Sequence, residues 1–484
     1  MAKWDPEAYL FGKIERWFFL LTCLLLLACG WLFGWLVHHA ISIPEEDRTW
    51  TDEAALAAAE LPDQAVALLR SGLEFDDEGR LVQRNPQIID FEEFSGLKVE
   101  DPEFEEDGMI LVSAYSDAHG IATVYLYDLA RQKKIWEWVP DHAAILEATP
   151  SLRDKVDRGI SLDETTDAKR NFRSMHPYPL EDGRLLIHSG GGVLAMLDRE
   201  GRPLWTLGGK YHHSIERMAD GNFILNKILP DERYPFQNDG YVIVSPEGEV
   251  LAEKSLTEIL DQHGYRGLLY GVQQWEPGFY DPVHLNDAEP ILADDDWVRA
   301  GDIALSSRHL STVLLYRPSE DRIVWLQTGP WLNQHDVDYQ GDGVFSIFNN
   351  NAVRTQGHFL DASLSQRLAD GAAFSTVDLY RMDDGSVTPE WPEVFRREEL
   401  FTQTQGLHRR LENGDYFVEL QNAHQLARVG PGGVRWRYAH PLSEPGQVGM
   451  LHWCRYFHPG ELDLSWMEPA AGTGIDTPED QRQQ

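Results

Sequence analysis

From Met109 onward the chain alternates short apolar runs with turns rich in Gly, Asp and Pro, a texture that predicts strand after strand. Met109-Ile-Leu-Val-Ser and Thr123-Val-Tyr-Leu-Tyr-Asp128 are the first of these strands. The stretch Gln334–Arg354 sets the pattern: His335 opens it, Gly341-Asp342-Gly343 turns it, Val344–Phe348 is a buried strand, and Asn349-Asn350-Asn351 leads to Arg354. A histidine, a Gly turn and an apolar strand recur at His176 to Gly183, His213 to Gly221 and His408 to Gly414. A closing phrase, a turn followed by a strand with tryptophan, recurs at Trp136, Trp205, Trp325 and Trp436, more loosely at Trp391, and without tryptophan at Ser245–Leu251. Six units start near Met109, Met175, His212, Val283, Gln334 and Gly406. Repeats of about four short strands with an aromatic residue at a fixed place predict an all-β, six-bladed β-propeller over 105–467, with the tryptophans equivalent. Leu451–Phe457 is expected to return as a strand completing the first blade. The pattern breaks twice, at a charged, helical-looking insertion over 143–169 and at a long loop, Arg354–Thr376, in the fifth unit.

Before the repeats, Trp17–Val37 holds about 21 uncharged residues, enough to cross a bilayer as a helix. Lys3, Lys13 and Arg16 precede it and only Arg48 follows closely, which places residues 1–16 in the cytoplasm and the propeller on the periplasmic or extracytoplasmic side. A cleaved signal peptide is the rival reading; the length of the apolar run and the lack of a small-x-small cleavage site favour an uncleaved, single-pass anchor in the cytoplasmic membrane. Residues 38–104 form a lead-in, with a helix expected over Asp52–Leu73, and 468–484 read as a disordered tail.

Composition narrows the partners. Asp and Glu number 79 against 42 Lys and Arg, a formal net charge of −37, so nucleic acid is not an expected ligand. Of the three cysteines, Cys23 and Cys29 lie in the apolar segment and only Cys454 in the soluble part, which leaves no disulfide and no cysteine-based zinc site there. The sequence does not fix an oligomeric state.

In a propeller the innermost strands line one channel, so histidines at strand starts converge on its mouth. His176, His213, His284, His335 and His408 are the candidates. A single such histidine has a plain structural reading, a hydrogen bond to a turn; several together with Arg354 point to a pocket. The fourth unit adds Asp281-Pro-Val-His-Leu-Asn286 and Leu305-Ser-Ser-Arg-His-Leu-Ser311. These motifs, with Gln-His-Asp, Phe-Asn-Asn-Asn and Gly-Leu-His408, occur in an order that resembles the bacterial arylsulfotransferases, six-bladed periplasmic propellers that do not use PAPS.

The resemblance implies ping-pong sulfuryl transfer from an aryl sulfate to a phenol through a sulfated histidine, with no cofactor and no metal. It implies His408 as the nucleophile, His284 and His335 as acid–base and orienting groups, Arg354 as the clamp on the sulfuryl oxygens, and Asn286, Asn349 and Arg308 as substrate contacts. Arg308 has a structural alternative, burial against a carboxylate. The chain departs from the family in lacking an N-terminal β-sandwich and a disulfide. Two other readings stand beside it: a non-catalytic membrane-tethered propeller that binds a protein or glycan, and a hydrolase with a metal on His284, His335 and His408.

Overall fold

A computed structural model describes residues 16–42, 49–52, 54–59, 73–75, 81–83, 85–158, 162, 165–234, 236–271, 281–352, 354–355, 358–359 and 374–467. The chain divides into two compact units, Met1–Arg84 and Asn85–Gln484. In the first, a helix spans Arg16–Ser42, and its window Leu20–Ala40, 21 residues with a mean hydropathy of 2.3, is long and apolar enough to cross a membrane. Residues 50–52 and 54–59 are helical within the expected lead-in helix, and 60–72 lie outside the described residues. Leu73–Phe75 pairs with Leu81–Gln83 as a small antiparallel ribbon.

The second unit is all antiparallel sheet in a propeller-like arrangement. Three sheets are four-stranded or five-stranded meanders taken in chain order: Leu285–Pro290 to Arg322–Thr328, His335–Gly341 to Val387–Glu390, and Leu407–Arg410 to Gly433–Ala439 with Gly96–Val99 added at the edge. A fourth joins both ends of the unit, because Arg455–Phe457 pairs with Met109–Leu111 beside Ile121–Asp128 and Lys133–Trp138. Met175 to Ser255 forms one seven-stranded sheet around a 15-residue strand, Pro203–Arg217.

The middle strands explain the apolar runs in the sequence. Gly192–Leu197, Thr312–Arg317 and Gln425–Gly430 are buried along their whole length, because each is covered on both faces by neighbouring sheets. Successive sheets are glued by mixed clusters. Leu314 and Tyr316 pack on Ile224 and Tyr241; Val313 and Trp331 pack on Phe345 and Ile347; Phe348 and Val377 pack on Val418 and Ala427. Ile110 and Tyr125 pack on Phe417 and Trp436, and Leu111 and Val124 on Leu185 and Ile187, so packing continues across the junction of the two chain ends. Within the seven-stranded sheet, Leu186 and Leu194 pack on Phe223 and Val242. Each such side chain contributes about 1.5–3 kcal/mol when fully buried.

Trp136, Trp205, Trp325 and Trp436 do share one place: each sits on the last strand of its meander (for Trp205, the start of the long strand), next to a register shift, opposite Leu126, Met196, Leu315 and Arg428. Trp391 departs from the expected equivalence. Its strand ends at Glu390, and Trp391 takes a left-handed conformation (φ 43°) as the N-cap of the helix Pro392–Arg397, against Tyr416. Helices His142–Ala148 and Pro150–Asp157 lie in the stretch between the first two sheets. Most of the Arg354–Thr376 loop and the whole of 468–484 lie outside the described residues.

Candidate functional site

The first strands of the sheets begin with a repeated kink. His176 (φ 42°), His213 (φ 58°), His284 (φ 49°), Asp336 (φ 51°), Gly406 (φ 101°) and Trp453 (φ 57°) all lie in the left-handed region. For a non-glycine residue that conformation costs on the order of 1–2 kcal/mol, so the surroundings must hold it. They do so by latching each strand to the next. Ile215 N–H donates to His176 Nδ1 at 3.1 Å, Ala288 N–H to Ser214 Oγ at 3.2 Å, Val337 N–H to Asp287 Oδ2 at 2.8 Å, and His408 N–H to Asp336 Oδ2 at 2.6 Å. At four of the kinks the pairing register also slips, as expected of a bulge that re-aims a side chain.

The kinks gather imidazoles. The His213 ring centroid lies 5.2 Å from His284 and 6.0 Å from His335, and His284 lies 4.4 Å from His309. Trp453, fully buried, stands edge-on to His176, His213 and His335 at 5.3, 5.5 and 6.3 Å. The Arg308 guanidinium is buried in the same group, with Nη1 3.2 Å from His309 Nε2.

Four buried imidazoles here, His213, His335, His212 and His188, are held toward the neutral form. Burial, then neighbouring histidines and the Arg308 charge, holds His213 well below the usual histidine range; burial and Arg308 do the same to His335. Burial brings His212 down to about 3 and His188 to about 4. His335 is tied at both nitrogens, with Nδ1 2.7 Å from Asn350 Oδ1 and Nε2 accepting the Gln405 N–H at 3.1 Å. The lone pair therefore sits on Nε2 and the proton on Nδ1, and both are engaged in hydrogen bonds.

His284 is built differently. Asp281 Oδ1 accepts its backbone N–H at 2.8 Å, which holds the left-handed turn, and Oδ2 lies 2.6 Å from Nδ1. The carboxylate keeps the proton on Nδ1 and the lone pair on Nε2. The His284 side chain is 23% exposed while Asp281 beneath it is 1% exposed, so this is the imidazole that solvent and ligand can reach. Burial pushes the Asp281 carboxyl up, and His309 pulls it back. An imidazole backed by a buried carboxylate, beside a buried guanidinium, suits attack on an anionic ester. Donor atoms of Asp281, His284 and His309 also lie within 4.8 Å of one another, so these three can hold a divalent metal.

The remaining expected residues take different places. His408 follows the kink at Gly406 by two residues, which carries it about 7 Å along its strand. It is fully buried there, with Nδ1 2.6 Å from Asp336 Oδ2 and Nε2 2.7 Å from Ser346 Oγ. The metal reading on His284, His335 and His408 together finds no such group among the described residues. Asn286 donates to the Gln334 carbonyl, and Asn349 accepts the N–H groups of Leu332 and Asn351 and donates to Asp378, so both brace turns. Arg308 lies in the group, buried beside His309. Arg354 lies in a two-residue strand paired with His358–Phe359, and its side chain is outside the described residues. Asp281, His309 and Trp453 were not singled out from sequence; the Asp-Pro-Val-His spacing was the available signal for the first.

No curated protein matches the chain. Among solved structures it is similar to a protein of unknown function from Bacteroides caccae (11% identity, 73% of this chain and 100% of that chain, TM-score 0.45). It is also similar to selenomethionine-substituted virginiamycin B lyase from Staphylococcus aureus (9% identity, 74% and 98%, TM-score 0.36) and to the WD40 β-propeller domain of Doa1 (13% identity, 77% and 96%, TM-score 0.36). Residues 176–433, just over half of the chain and including His213, His284, Arg308 and His335, match the family described as arylsulfotransferase (ASST), and the chain belongs to that family.

Proposed function

We propose that the protein is a membrane-anchored arylsulfotransferase that moves a sulfuryl group from an aryl sulfate to a phenol through a sulfohistidine, with His284 as the nucleophile. The observation that carries this reading is the Asp281–His284 pair, partly open to solvent and set beside Arg308 among neutral imidazoles. In the first step His284 Nε2 attacks sulfur; the N–S bond forms, the aryl O–S bond breaks, and the phenolate leaves toward the Arg308 charge. The ring then carries a positive charge that Asp281 offsets. In the second step a phenol oxygen attacks the same sulfur, the phenol proton passes to solvent, the N–S bond breaks, and the imidazole returns neutral. His213 and His335 fix the walls, and Arg354 adds a second fork to the sulfuryl oxygens. His408 is the other candidate acceptor of the sulfuryl group.

The seven-stranded sheet, read as two blades sharing the strand Pro203–Arg217, makes six blades with the remaining sheets. The Leu20–Ala40 segment anchors them to the cytoplasmic membrane, the blades lying outside.

The test is turnover by the full chain in detergent, with 4-nitrophenyl sulfate as donor and a phenol as acceptor. The proposal expects nitrophenol release that requires His284 and survives chelator. Chelator-sensitive release would favour a metal on Asp281, His284 and His309, and no release would favour a tethered binding propeller.

A further inference from the structure

A second cluster of chemistry-bearing groups lies further along the channel, outside the histidine group. A cavity of about 410 Å³ is lined by Glu216, Glu289, Asp336, Asp338 and His408, together with Arg217, Arg409, Arg410 and Arg455. Three of those arginines are already engaged. Arg455 binds Glu216 and the Pro177 carbonyl, Arg409 binds Glu461, and Arg217 binds Glu181. The carboxylates of Glu289, Asp336 and Asp338 have no arginine or lysine partner among the described residues. Among the described residues, the hydrogen bonds of Asp336 run from Oδ2 to His408 and the ion pair of Asp338 is with His408.

We propose that Asp338 and His408, with Glu289 of the same cavity lining, bind a divalent transition ion such as Mn²⁺ or Zn²⁺. Three features of the geometry point there. Donor atoms of Asp336, Asp338 and His408 all lie within 4.8 Å of one another. His408 Nε2 stands 3.7 Å from Asp338 Oδ2, a separation suited to two ligands about 2.0–2.2 Å from one ion in tetrahedral array. Asp336 holds Nδ1 of the same ring at 2.6 Å, the carboxylate–histidine support that orients a metal-binding imidazole and leaves Nε2 as the ligand atom. Mixed imidazole and carboxylate donors select transition ions over Ca²⁺ or Mg²⁺. The ion competes with Ser346, whose hydroxyl meets Nε2 at 2.7 Å while accepting the Gln340 amide N–H at 2.8 Å.

The site is distinct from the Asp281–His284–His309 group, and the test separates them. Chelator-stripped full-length protein in detergent is titrated with Mn²⁺ and, separately, Zn²⁺, Ca²⁺ and Mg²⁺ by calorimetry, with circular dichroism as a check on folding. Stoichiometric Mn²⁺ or Zn²⁺ binding is expected, weakened at least tenfold by Asp338→Asn, abolished by His408→Ala, and retained by Ser346→Ala and by His284→Ala. Bound Mn²⁺ should show an electron spin-echo modulation from a coordinated nitrogen that disappears in His408→Gln. Binding that follows His284 rather than His408, or Mn²⁺ and Zn²⁺ uptake unchanged by Asp338→Asn and His408→Ala, overturns the proposal and leaves a Ser346–His408–Asp336 hydrogen-bond network only.

Discussion

Replacing Asp281 by Asn probes the proposed nucleophile without removing it. The Asn carbonyl still accepts the His284 N–H, the contact that Asp281 Oδ1 makes at 2.8 Å, so the left-handed turn is kept. What changes is the other contact, the 2.6 Å approach of Oδ2 to Nδ1. An amide NH₂ there is a donor, so Nδ1 must accept, the ring proton moves to Nε2, and the attacking lone pair is lost. The charge that balances the sulfated ring is lost too. A hydrogen bond to a charged group contributes about 1.5–3 kcal/mol, a factor of about 10–150 in rate, and the tautomer change adds to it. We expect kcat for aryl sulfate cleavage to fall by at least about 10²-fold. KM should hold or drop, because the variant removes a negative charge from an anion site. Stopped-flow release of nitrophenolate at saturating donor reads the chemical step. If Asp281→Asn stays within threefold of wild type while His284→Ala is inactive, Asp281 does not set the tautomer and the dyad reasoning fails.

Two further expectations rest on buried charge. Arg308→Lys keeps the cation but not the planar fork, so turnover should drop about tenfold or more with folding intact; equal activity in the two forms would remove Arg308 from the anion site. Glu419, buried beneath the Trp453 and Cys454 N–H groups, is pushed by burial from an unfolded value of 4.5 to about 7. Its contribution is whole below pH 4.5 and lost as pH rises through 7, approaching about 3 kcal/mol. Urea unfolding should therefore show Glu419→Gln costing clearly more at pH 5 than at pH 8.5, and an equal cost at both would contradict the assignment.

The strands were legible because middle strands such as Thr312–Arg317 are buried on both faces and read as unbroken apolar runs. The tryptophan phrase was legible wherever a full outer strand follows the turn; at Trp391 the strand stops one residue short, after Pro389 has withheld a backbone donor. The histidine repeat was legible as a pattern but not as a register. His213 and His284 are themselves the kinked residues, while His335 precedes the kink at Asp336 and His408 trails the one at Gly406 by two. Spacing to the next Gly turn cannot resolve such offsets, because the bulges absorb one residue in some strands and none in others. Asp281 meets His284 through a loop with no periodicity, and Trp453 reaches the histidines only because the chain's last strand returns to its first sheet. The first contact is carried by the local Asp-Pro-Val-His spacing, and the second is set by how the unit closes.

The measurement that bears most directly on the central claim is the site of the covalent intermediate. Full-length protein incubated with an aryl sulfate and no phenol, then mapped by mass spectrometry at neutral pH, should carry one acid-labile sulfuryl group on His284, discharged when phenol is added. A sulfuryl group on His408 or His335 would move the nucleophile, and turnover without any sulfated histidine would contradict the two-step mechanism.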